Sequence, residues 1–156
     1  EDWLMLGNHD TPPVWNVAAG WRASGAARQQ AAYLAERLRI PATGRTAWIE
    51  RTAADTGRLV QASFADLFIG PARNIMVYFT DLLGMQEAYN RPGSVSAANW
   101  SLRVDPDYRS TYHARLAAQH ALDLPAALAM ALRAREPAAR SRHHDLAARL
   151  ESSTDP

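Results

Sequence analysis

Apolar residues recur at helical spacing along most of the chain, and two shorter runs read instead as strands. The first run, Leu4-Met5-Leu6, ends at Gly7 and predicts a short strand. After the Thr11-Pro12-Pro13 turn, Val14, Val17, Ala18 and Trp21 predict a helix, with Pro13 in its first turn, where a missing N–H costs nothing. Ser24-Gly25 breaks it. Ala27, Ala31, Leu34 and Leu38 predict a second helix over 26–39. A shorter, more exposed helix is expected over 43–54. The stripe Leu59, Val60, Ser63, Phe64, Leu67 and Phe68 predicts a buried-face helix over 57–69, stopped by Gly70-Pro71. The second run, Asn74-Ile75-Met76-Val77-Tyr78-Phe79, reads as a buried parallel strand. Residues 85–107, rich in Gly, Pro, Asn and Ser, predict a long loop, and loops of that length in compact domains are usually functional. Helices follow over 108–122 and 125–135, then a polar terminal helix or tail over 136–156 that frays by Ser152.

Two parallel strands joined by a helical crossover are a piece of an α/β sheet or barrel. Two strands alone cannot bury their faces, so the expected domain is larger than the chain. Asp10 lies nine residues from the first residue, a glutamate, which adds to the expectation of a fragment. Composition narrows the partners. The 156 residues are 47% hydrophobic and 21% charged, an ordinary globular balance. A formal charge of +1, with 17 scattered arginines and no lysine, gives no strong pull towards nucleic acid or anionic lipid. With no cysteine there is no disulfide, thiolate metal site or cysteine nucleophile. Apolar runs fall far short of the roughly 20 residues of a membrane span. A cytoplasmic location, with no membrane partner, is the expectation.

The chemistry concentrates at Gly7-Asn8-His9-Asp10, where a strand gives way to a loop and α/β enzymes place reactive groups. Three readings fit these residues. Asn8 and Asp10 could satisfy backbone donors at the coming helix, with His9 merely packed. Gly-Asn-His-Asp after a strand could be a metal-binding block of a metallophosphoesterase. That needs further ligands, and His113, His120, His143 and His144 follow neither a strand nor a glycine. Third, an Asn-His-Asp at a barrel strand end resembles the fourth conserved region of the α-amylase clan.

Three further blocks extend the third reading: Phe79-Thr80-Asp81-Leu82-Leu83-Gly84, then Tyr89-Asn90-Arg91-Pro92-Gly93, then Asn99-Trp100-Ser101-Leu102-Arg103. In this order after the His-Asp pair they resemble the C-terminal part of the 4-α-glucanotransferases (amylomaltases or disproportionating enzymes, glycoside hydrolase family 77). The resemblance covers roughly residues 2–135. It implies the C-terminal portion of a (β/α)8 TIM barrel, here over 1–135, holding strands seven and eight with the closing helices. It also implies retaining transfer of α-1,4-glucan segments from a maltooligosaccharide donor to a sugar acceptor, without a cofactor. Retaining chemistry needs a nucleophile and a general acid about 5–5.5 Å apart. The family carries both on earlier strands, so the chain alone is expected to be inactive. Asp10 matches the third carboxylate, which holds the reacting sugar's hydroxyls as the ring flattens towards an oxocarbenium ion. His9 would donate to the same sugar, with Asn8, Asn90 and Trp100 as further substrate-binding candidates.

Neighbouring residues carry simpler expectations. Asn90 and Pro92-Gly93 are equally a turn. Trp100 is read as a loop anchor buried with Arg103, or else as a sugar-stacking face. Asp81 is expected to accept backbone N–H groups from the turn that follows it. Trp3, Trp15 and Trp21 are read as core or helix-packing residues. A non-catalytic helical interaction module remains the alternative of a different class.

Overall fold

The computed structural model describes residues 2–153. Among them the chain is predominantly helical with two short strands: β1 (Trp3–Leu4), α1 (Val14–Ser24), α2 (Ala27–Arg37), α3 (Arg45–Ala53), α4 (Thr56–Phe68), β2 (Asn74–Ile75), α5 (Phe79–Leu82), α6 (Tyr108–Ala117), α7 (Leu124–Ala134), α8 (Pro137–Arg142) and α9 (His144–Ser152). β1 and β2 pair in parallel, Trp3 with Asn74 and Leu4 with Ile75, and α1 to α4 form the crossover between them.

The centre is α4. Leu59, Val60, Ala62, Phe64 and Ala65 have no exposed surface, and α1, α2, α3 and α7 pack around them. Trp15, Ala18, Ala31, Leu122 and Ala127 complete one cluster, and Leu34, Leu38 and Ala134 a second. Alanine on the facing helices lets the axes approach closely, and the larger side chains of α4 fill the space between them. Helix ends follow local chemistry. Asp55 accepts the Arg58 N–H at 2.9 Å and Asp123 the Ala126 N–H at 2.9 Å, each capping the helix it precedes. Gly25 closes α1 at φ 82°, the left-handed turn that needs no Cβ.

Several expectations are corrected. The second strand pairs over two residues, not six. β1 turns away at Leu6-Gly7, so after Met76 N–H donates to Leu4 C=O no partner backbone remains, and the chain winds into α5 at Phe79. The helix expected to reach Leu122 ends at Ala117. Gln119 adopts φ 60°, and the turn sends Leu122 inwards, where its N–H donates to Leu82 C=O. The terminal helix divides at His143, and α9 lies along α7 with Ala147 buried and Arg133 paired to Glu151. Trp15 is core and Trp21 packs against it, but Trp3 is exposed because its face of the strand pair has no cover.

Candidate functional site

The loops after β1 and β2 leave the same end of the strand pair, so the topology alone brings residues 7–13 and 76–90 together. Within the first loop, Asn8 organises the turn. Asp10 N–H donates to Asn8 Oδ1 at 2.8 Å, Asn8 N–H to Thr11 Oγ1 at 2.8 Å and Thr11 N–H to Asn8 C=O at 3.3 Å. This Asx turn consumes Asn8 and leaves His9 and Asp10 outward, each side chain about half exposed. Asn8 is therefore a shaping residue, with its carboxamide oxygen already engaged.

The long loop then docks on the turn. Asn90 Nδ2 donates to Asp10 Oδ1 at 2.7 Å, and Asn90 N–H donates to His9 C=O at 3.0 Å. His9 Nε2 lies 3.4 Å from Asp10 Oδ2. Thus one carboxylate oxygen is oriented by an amide and the other faces an imidazole. A carboxylate can only accept, so the amide nitrogen is the end of Asn90 that must face it.

Aromatic rings back this polar pair. The His9 ring lies 5.2 Å from Trp100, and Trp100 stands edge-on to Tyr89 at 5.4 Å. Tyr89 in turn meets Phe79 at 5.8 Å and Tyr78 at 6.4 Å. Trp100 is not the buried anchor expected. It is 50% exposed and holds φ 65°, a conformation side-chain-bearing residues rarely adopt. Its N–H donates to Tyr89 C=O at 2.9 Å, and Arg103 Nη1 donates to its carbonyl at 2.7 Å. Those two bonds hold the strained residue and close the loop at its neck. Burial first, then the nearby Tyr89, Asp10 and Asp81, push the Tyr78 hydroxyl upwards in pKa, so it stays a neutral donor.

Asp81 is almost wholly buried, and its partner differs from the expected one. Its Oδ1 accepts the Val14 N–H at 2.7 Å, and its backbone carbonyl accepts Trp15 Nε1–H at 2.8 Å. It therefore caps α1 from outside that helix, doing what Asn8 and Asp10 do not. Burial raises its pKa to about 6, against the opposing bond from Val14.

The structure thus brings His9, Asp10, Asn90 and Trp100 onto one surface, with Asn8 beneath. Tyr78, Phe79 and Tyr89 belong to the same surface and were missed. Their aromatic clustering beside the Asn90 block was the available signal. The surface can offer acceptors and donors to neighbouring hydroxyls and ring faces to C–H groups. A cleft of about 450 Å³ between the α2–α3 link and α7–α9, with Leu38, Ile40, Met130 and Ala147 in its wall, shares no residue with it. Among the described residues no group of three or more His, Cys, Asp or Glu side chains stands together as a metal site requires. Also among them, no helix is long and apolar enough to cross a membrane. The chain matches no family model, no curated protein and no solved structure.

Proposed function

We propose that the chain supplies the C-terminal strands and one substrate-binding carboxylate of a retaining 4-α-glucanotransferase built on a (β/α)8 barrel. One observation carries the proposal. His9-Asp10, with Asn90 and Trp100 from about 80 to 90 positions further along the sequence, meet at the end of two parallel strands where barrel enzymes hold their substrates. The strand pair adds support. Trp3, Met5, Leu6 and Met76 are exposed around it, whereas parallel strands in α/β proteins are covered on both faces. The outer helices and the filled interior of a complete barrel would supply that cover.

In this role Asp10, oriented by Asn90, accepts hydrogen bonds from the hydroxyls of the sugar undergoing transfer. His9 donates to the same sugar, and Trp100 offers a ring face. Bonds that tighten as the sugar ring flattens favour the transition state over bound substrate. The nucleophile and general acid come from strands before β1.

The test is glucose release from maltotriose by the protein carrying those upstream strands. Wild type redistributes glucan chains, and Asp10→Asn lowers kcat by about 10²- to 10³-fold, the equivalent of roughly 3–4 kcal/mol, with KM little changed. An upstream sequence without an Asp block and then a Glu block at strand ends, or an Asp10→Asn protein of wild-type kcat, contradicts it.

A further inference from the structure

We infer that Asp81 is a positioning residue that staples the far end of the loop carrying His9 and Asp10 and backs its near end. Its consequence for glucan transfer rests on the function proposed above, whereas its effect on the loop does not.

Two hydrogen bonds and one close approach carry the inference. At the far end of the loop, Asp81 Oδ1 accepts the Val14 N–H at 2.7 Å, and Pro13, the residue before Val14, brings no side-chain cap of its own to α1. One residue further on, the Trp15 indole donates to the Asp81 carbonyl at 2.8 Å, fixing the rotation of the first turn. At the near end, the second carboxylate oxygen faces the space that a side chain at residue 7 would fill. A Cβ at position 7 would stand 3.3 Å from Asp81 Oδ2 and 3.0 Å from Thr11 Oγ1. One buried side chain from the β2 loop therefore bonds residue 14 and faces residue 7, and the seven-residue step between them contains the whole Asn8–Thr11 turn. The segment has little slack, since Pro12 and Pro13 fix two of its φ angles. Releasing the Val14 end lets His9 and Asp10 move relative to Asn90 and Trp100, which belong to the other loop.

The position calls for an acceptor, because the first N–H groups of a helix have no partner within it, and Asp81 Oδ1 supplies one. An asparagine keeps the acceptor and the shape, whereas an alanine keeps neither. That difference separates positioning from bulk stability.

The experiment compares wild type, Asp81→Asn and Asp81→Ala by hydrogen exchange and by the His9 ring and Trp15 indole NMR signals. Positioning predicts that Asp81→Ala speeds exchange of the Val14 amide at least tenfold and shifts the His9 signal. The amides of α4 and α7 should change far less, and Asp81→Asn should restore the wild-type pattern. In the transfer reaction, Asp81→Ala lowers kcat by about 10²-fold, the cost of a displacement near 1 Å, with KM nearly unchanged, and Asn recovers most of the loss. Uniform acceleration across all helices, or an unmoved His9 signal in Asp81→Ala, overturns the inference. Loop effects as predicted in a protein without glucan transfer leave the staple standing and reject the enzymatic role.

Discussion

The region around α4 and the region around His9 are held together by different physics. At α4, fully buried Leu59, Val60 and Phe64 interlock with Trp15, Leu122 and the alanines of α2 and α7. Stability there comes from apolar area removed from water and from the absence of voids. At His9 the side chains are half exposed, and their arrangement depends on a handful of directed bonds between loops. A core tolerates sequence change of like volume. A hydrogen-bonded surface depends on particular atoms.

The sharpest way to expose the difference is to remove volume from the first region and atoms from the second. Phe64→Ala opens a cavity in a site with no exposure, and it should cost about 3–5 kcal/mol in denaturant unfolding. A loss under 1 kcal/mol would show that α4 is not the packing centre.

Asp81 lies where the two regions meet, and its pH dependence has a definite sign. Its carboxyl is raised from 3.8 to about 6 in the folded chain, so the folded state holds the proton more tightly than the unfolded one. The stabilisation from the neutral form is complete below about pH 4 and is lost as pH rises through 6. Over two units this amounts to at most roughly 3 kcal/mol. Asp81→Asn should flatten that decline and be at least as stable as wild type at pH 7.5. A wild-type stability that instead rises between pH 4 and 6, with Asn abolishing the rise, would reverse the assignment.

Smaller effects sharpen the contrast. Asp123→Ala removes the cap of α7 and should lower stability by about 1 kcal/mol, read as a shift in urea midpoint. Trp100→Ala, for all its size, should change stability by no more than roughly 0.5 kcal/mol, because half of the ring is already in water. A large loss there would make Trp100 an anchor after all.

Helices α1, α2, α4 and α7 could be read from sequence because one face of each meets the core at every turn, which writes the period into the residue order. The strand at 74–79 could not be bounded, since its extent depends on how long β1 stays alongside, and that ends at Leu6-Gly7. The His9-Asp10 turn, Asn90 and Trp100 could each be named as blocks. Their meeting could not, because it rests on a docked loop with no periodic signature. Asp81 shows the limit most plainly: its carboxylate invited a local partner, and the fold supplied Val14 from 67 positions away. Tyr89 has no role of its own in the sequence block that contains it, yet its carbonyl and ring hold Trp100 in place.

The central claim is that this loop surface binds an α-glucan through His9, Asp10, Asn90 and Trp100. Titrating the chain with maltoheptaose while following backbone and side-chain NMR signals tests it most directly. The account predicts saturable shifts at those four residues and at Tyr89, abolished by Asp10→Ala, with Phe64 and Leu122 unmoved. Saturable binding elsewhere, or no response from His9, Asn90 and Trp100 at millimolar sugar, would contradict it.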